Sequence, residues 1–177
     1  NAALLESTRK GVTLESITEA FRLTREARIR STASFVLGLP GETPATVEET
    51  IRFARRLKPD HASFHIFAPY EGTRLHGEAV AAGRIEPGAF DRTRVHANLR
   101  AYRTEGMTAE ALDAARRRAY RAFYRDPRYL ARRLMNSSRR EISFYARTLL
   151  GLRGDIRTAE ASVREALLGG PAEKLAR

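Results

Sequence analysis

Two short apolar runs, residues 32–39 (Thr-Ala-Ser-Phe-Val-Leu-Gly-Leu) and 62–68 (Ala-Ser-Phe-His-Ile-Phe-Ala), each stop at a turn rich in glycine and proline, with one amphipathic segment between them. The first run is too short for an average helix and apolar throughout, which suits a strand covered on both faces, as parallel strands are. Pro40-Gly41 ends it. Thr43-Pro44 then marks a helix start, because proline at the first helical position loses no hydrogen bond and its φ is already helical. Val47, Ile51, Ala54 and Leu57 form a stripe at intervals of four, three and three, with Glu48, Glu49, Arg52, Arg55 and Arg56 elsewhere around the helix. Lys58-Pro59-Asp60 stops that helix. The second run alternates, Phe64, Ile66 and Ala68 against Ser63, His65 and Phe67. Strand, helix and strand with short connections predict a parallel pair joined by a right-handed crossover.

The flanking segments read as helices and turns. Thr13 caps a helix carrying Leu14, Ile17, Phe21 and Thr24 that runs to about Arg28, with Glu15 near the positive end of its dipole. After Thr73 the pattern breaks at Gly83, Pro87 and Gly88, and residues 84–106 read as mostly irregular. Thr108 opens a helix with Leu112, Ala115, Ala119 and Phe123 on one face. Asp126-Pro127 restarts the chain, and Ser138 with Glu141 is a capping box for a further helix carrying Ile142, Tyr145 and Leu149. A weaker helix at 159–168 precedes Gly169-Gly170-Pro171 and a tail that reads as disordered. The expected organisation is 1–82 as an α/β unit, 83–106 as a connector, 107–170 as a helical region and 171–177 as a tail.

Composition narrows the chemistry. The 177 residues contain no cysteine, so they hold neither a disulfide, a thiolate metal site nor a cysteine nucleophile. No apolar run nears the roughly 20 residues that span a bilayer and no leader is read, so the expected location is cytoplasmic. The net charge of +11 arises from 32 Lys+Arg against 21 Asp+Glu. An attraction to polyanions is one reading; guanidinium groups lying over apolar helix surface is the other. The spread of the arginines along several helices, with no single run, favours the second.

The strand-end turns carry what site chemistry there is, since parallel α/β folds keep their ligands where the backbone leaves the sheet. Gly38 and Gly41 bracket the first turn; they leave room for a flat ligand or simply make a tight strand-to-helix turn. Glu42 sits where a helix dipole favours a carboxylate in any case. Before the second turn, Pro69-Tyr70-Glu71-Gly72-Thr73, Phe67 could stack on an adenine ring or pack in the core. His65 could join it or be a buried, hydrogen-bonded histidine. His61, His76 and His96 have no partner at metal-ligand spacing, and no catalytic or metal-binding set is read.

Several segments together resemble one family. Lys10-Gly11-Val12-Thr13, Phe35-Val36-Leu37-Gly38-Leu39-Pro40-Gly41-Glu42-Thr43, Pro59-Asp60 and Pro69-Tyr70-Glu71-Gly72-Thr73-Arg74-Leu75 resemble the last part of the catalytic barrel of radical S-adenosylmethionine (SAM) enzymes, in the branch that often carries a cobalamin-binding domain. Ala119-Tyr120-Arg121-Ala122-Phe123-Tyr124-Arg125-Asp126-Pro127-Arg128-Tyr129 is similar to a segment that follows the barrel there, with Asp126 where arginine is common. The resemblance implies the C-terminal fragment of a (β/α)6 partial TIM barrel, two parallel strands with flanking helices, followed by an α-helical C-terminal region. It implies a [4Fe-4S] cluster and SAM, cleaved reductively to a 5′-deoxyadenosyl radical, with Val36, Gly38, Phe67 and Ala68 contacting the adenosyl group. Ser34 stands where the family's glycine pattern has an earlier glycine. The family's three-cysteine motif and first strands would precede residue 1, so the chain reads as part of a larger enzyme, inactive alone, that needs the N-terminal barrel half and acts on a small molecule. Two other classes stay open: an arginine-rich RNA-binding or tRNA-modifying protein, and a helical interaction module.

Overall fold

In the computed structural model, residues 1–85, 102, 104 and 106–136 are described. They form α1 (Ala2–Ser7), α2 (Leu14–Glu26), β1 (Thr32–Leu37), α3 (Pro44–Leu57), β2 (His61–Ile66), α4 (Arg74–Ala81), α5 (Ala109–Tyr124) and α6 (Pro127–Asn136). The expected helices at 138–149 and 159–168, the tail, and most of the connector lie outside the described residues.

Helix starts follow local side-chain chemistry. The Thr13 hydroxyl accepts the Ser16 N–H at 3.1 Å while the Thr13 N–H donates to Ser16 Oγ at 3.0 Å, a reciprocal cap. Thr43 and Thr46 repeat the arrangement at 3.3 and 2.9 Å, with Pro44 first in the helix. Lys58 ends α3 in the left-handed region at φ 55°. Two helices were not expected. Asn1 caps α1 by accepting the Leu4 N–H at 3.2 Å, and Thr73, read only as part of a turn, caps α4 through the His76 N–H. Both helices are short, 6 and 8 residues, and neither carries the long apolar stripe that periodicity detects.

β1 and β2 pair in parallel, in the register Thr32↔His61 through Leu37↔Ile66. The ladder extends one step, with the Phe67 N–H donating to the Leu37 carbonyl at 2.7 Å. Ala33, Phe35 and Leu37 with Ala62, Phe64 and Ile66 face the core, where α3 packs on β1 and α5 packs on β2. Val47, Ile51, Ala54 and Leu57 of α3 and Ala115, Ala119, Tyr120, Phe123 and Tyr124 of α5 are buried there. Phe64 stacks on Phe35 at 5.2 Å and meets Tyr120 edge-on at 5.3 Å.

The expectation that β1 is covered on both faces is not met: Ser34 and Val36 are exposed on the opposite face. Among the described residues only the α3 and α5 side is sealed. The two edges of the sheet differ as well. On the outer edge of β2, the Tyr124 hydroxyl accepts the Ala62 N–H at 3.2 Å and donates to the Ala62 carbonyl at 2.9 Å, and the Tyr120 hydroxyl accepts the Phe64 N–H at 3.3 Å. Tyrosine side chains thus occupy the positions where a third strand would pair. On β1 the odd-numbered residues face β2, so the backbone groups of Thr32, Ser34 and Val36 point to an edge with no strand partner among the described residues. The stripe of α2 is only half-buried, and Leu23, Ile29 and Val36 are exposed.

Candidate functional site

β1 and β2 run in the same direction, so their C-terminal ends lie side by side. This brings Val36 and Gly38 beside Phe67 and Ala68, all four candidate residues at one end of the sheet. Val36, 42% exposed, lies on the open face opposite His65 in the register. Phe67 and Ala68 are half-buried, and Phe67 meets the Tyr102 ring edge-on at 5.3 Å.

Gly38 occupies a left-handed φ of +87°, and a Cβ there would come within 3.1 Å of Leu112 Cδ1. Backbone conformation and the packing of α5 therefore both require glycine here. The side-chain space above Gly38 belongs to Leu112, which leaves only the backbone of the turn for any ligand. Gly41 also has a positive φ, +80°, with no close neighbour.

Glu42 is the residue whose role was understated by its position before a helix. It is 2% exposed, and its carboxylate accepts the N–H groups of both Gly38 and Leu39, the latter at 3.2 Å. Burial pushes the carboxyl above its ordinary pKa, and the two backbone donors pull the other way. The glutamate thus ties the end of β1 to the start of α3 and fixes the shape of the first turn. The sequence signal was a Gly-Leu-Pro-Gly-Glu turn in which only the glutamate side chain could satisfy the two N–H groups released at the strand end.

The open face carries a polar row. Ser34 Oγ lies 2.9 Å from Ser63 Oγ, and Ser63 Oγ lies 3.1 Å from His65 Nε2. His65 is exposed, so the buried-histidine reading does not hold. No group of three His, Cys, Asp or Glu side chains suited to a metal ion stands among the described residues, and no helix there is long and apolar enough to cross a membrane.

No family model matches the chain. It is similar to an uncharacterised methyltransferase of Pyrococcus horikoshii, 33% identical over 134 residues that cover 72% of this chain and 27% of the relative. It is also similar to the anaerobic magnesium-protoporphyrin IX monomethyl ester cyclase of Cereibacter sphaeroides, 33% identical over 143 residues covering 80% of this chain and 22% of that protein. A ribosomal protein uS12 methylthiotransferase, RimO, of Leptospira biflexa is 35% identical over 74 residues, 41% of this chain and 16% of its own length. These relatives are enzymes, and the chain spans about a quarter of the length of the first two.

Proposed function

We propose that the chain is the C-terminal portion of a radical SAM enzyme, the last two strands of a partial (β/α)6 barrel with the helices that follow it. The observation that carries this reading is the asymmetry of the sheet: tyrosine hydroxyls close the outer edge of β2, while among the described residues the outer edge of β1 and the face bearing Ser34, Val36, Ser63 and His65 stay open. A two-stranded parallel sheet with one face and one edge open among the described residues fits the end of a larger sheet, since parallel strands need cover and neighbours. The relatives named for methyl transfer, methylthio transfer and ring closure support the reading: they match 72%, 41% and 80% of this chain with 27%, 16% and 22% of their own lengths.

The residues fit the two implied groups differently. An iron–sulfur cluster needs thiolates, and the 177 residues have none, so these residues do not hold the cluster. The adenosyl group of SAM fits the strand ends better. Val36 offers exposed apolar surface, Phe67 an aromatic ring and Ala68 a half-buried position past the last ladder bond, while Gly38, buried and with its N–H on the Glu42 carboxylate, keeps only its carbonyl for a ligand. SAM supplies the reactive group of such enzymes; this chain orients it. Glu42 holds the first turn in place, and the edge-on contact with Tyr102 holds the Phe67 ring. A cobalamin-binding domain, if the whole enzyme carries one, lies outside these residues.

Two observations test the reading. After anaerobic reconstitution with iron and sulfide, the chain is expected to show no charge-transfer absorbance of a cluster. The reading frame upstream of Asn1 is expected to encode a Cys-x-x-x-Cys-x-x-Cys pattern. A stable cluster on these residues, or an upstream frame without the cysteines, would overturn the proposal.

A further inference from the structure

The arginines that are scattered in the sequence are collected by the fold. The last two turns of α3 bring Arg52, Arg55, Arg56 and Lys58 alongside Arg128 and Arg132 of α6, and together they line a cleft of about 800 Å3 whose floor is Phe123 and Tyr129. We propose that this cleft binds the phosphate backbone of a nucleic-acid strand, at a place distinct from the strand-end rim and independent of the reading given above.

Charge is the first support. Asp126 is the one carboxylate lining the cleft among the described residues, and it is already engaged: Arg55 Nε and Nη2 both lie 2.7 Å from Oδ2, and the Arg128 N–H donates to Oδ1 at 2.8 Å. Arg52, Arg56, Lys58 and the Arg128 guanidinium form no ion pair with any described residue, and Arg56 lies over the Phe53 ring at 6.0 Å. Arg132 is partly buried, donates to the Pro59 carbonyl at 2.9 Å and lies over the Tyr129 ring at 5.8 Å. Burial holds its guanidinium below the ordinary value; Asp60 and Tyr129 act in the opposite direction, and Arg133 and Arg25 add to the depression. Like charges crowded over a low-dielectric floor create a positive potential that an anion relieves.

The chemistry of the lining selects among anions. Guanidinium forks pair with phosphate and carboxylate oxygens alike, and a phosphodiester chain repeats its anion at regular intervals along a cleft lined by successive arginines. The aromatic floor is buried, Phe123 at 2% and Tyr129 at 5% exposure, so it offers neither an anchor for a lipid surface nor a platform for base stacking. Recognition is then of the backbone and independent of base sequence. From Arg52 to Lys58 the helix advances about 9 Å, and with Arg128 and Arg132 across the cleft the cations can meet about three phosphates of one strand.

Fluorescence anisotropy of a labelled 12-nucleotide RNA with the complete 177-residue chain tests this. Binding should be indifferent to base composition, with a slope of log affinity against log salt of about −2. The Arg52→Glu/Arg56→Glu/Arg128→Glu variant should bind about tenfold more weakly or worse at equal salt, while Lys10→Glu/Arg117→Glu/Arg121→Glu, with the same charge change, should shift affinity by less than about threefold. Far-UV circular dichroism establishes that both variants are folded, and replacement of the three cleft arginines by lysine should retain part of the binding. Equal losses in the two glutamate variants, no binding by the wild type, or competition by inorganic tripolyphosphate, poly-glutamate or anionic phosphatidylserine vesicles that matches unlabelled RNA would overturn the proposal.

Discussion

The phenolic hydroxyl of Tyr124 bridges the backbone of Ala62, accepting its N–H at 3.2 Å and donating to its carbonyl at 2.9 Å, with both residues buried. One side chain from α5 thereby completes both backbone groups that β2 would otherwise present to a third strand. Tyr124→Phe keeps the ring and leaves two buried backbone groups unpaired, so it should lower unfolding free energy by about 1–3 kcal/mol. Tyr120→Phe, which frees the Phe64 N–H and leaves its carbonyl untouched, should cost less, about 0.5–1.5 kcal/mol. Urea denaturation of both variants checks the order. A Tyr124→Phe midpoint equal to wild type would mean that the edge is not held by the hydroxyl.

Gly38→Ala meets two separate obstacles, the +87° φ and the Leu112 methyl groups 3.1 and 3.2 Å from the new Cβ. The conformational penalty alone is about 1–2 kcal/mol. Adding Leu112→Ala removes the clash and leaves the φ unchanged. The double variant should therefore be more stable than the sum of the single effects by a measurable coupling, of order 0.5–3 kcal/mol. Additive effects in thermal or urea unfolding would show that Leu112 does not press on the turn.

Glu42 gives a pH signature. Its carboxyl titrates above the ordinary value of 4.5 because burial penalises the charged form. The folded state therefore binds the proton more tightly than the unfolded chain, and the stability this supplies is present below 4.5 and is lost as pH rises through the raised value. Glu42→Gln removes the titration. The stability difference, wild type minus variant, should fall with rising pH across that window, and a flat difference would contradict the burial assigned to the carboxylate.

Asp126 has the opposite sign. Burial raises its pKa, but the Arg55 hydrogen bond outweighs this together with the Arg128 and Tyr129 N–H groups, and the net shift is downward from 3.8. Its contribution is present above that value and lost as pH falls through the lowered one. Asp126→Ala removes the side chain that caps α6, at a cost near 1 kcal/mol at neutral pH. The Arg55 pair adds little, since Arg55 is 45% exposed. In acid the difference from wild type should shrink, and urea titrations at neutral and low pH measure it.

Much of the architecture could be read from residue order alone, because its signals are local. The two apolar runs, the Thr43-Pro44 start, the α3 stripe and the Asp126-Pro127 restart each sit within a few residues of the feature they specify. What escaped depends on distant partners. Ser34 and Val36 sit in a run that reads as covered on both faces, yet only the α3 and α5 side has a cover among the described residues. The roles of Tyr120 and Tyr124 as edge closures require knowing that α5 lies beside β2, 56 to 62 residues away in sequence. The cationic cleft likewise needs α3 and α6 brought together, and a scan for basic runs does not find it. The strand-end candidates were legible as positions; what fills the space above Gly38 was not, since Leu112 lies 74 residues further along.

The most direct test of the central claim is amide mapping by 15N–1H correlation NMR as the chain is titrated with S-adenosylhomocysteine to millimolar concentrations. The account predicts shift changes concentrated at the β1 and β2 ends, at Val36, Gly38, Phe67 and Ala68, and none in the cleft between α3 and α6. Absence of shifts throughout the titration, or shifts centred away from these strand ends, would contradict it.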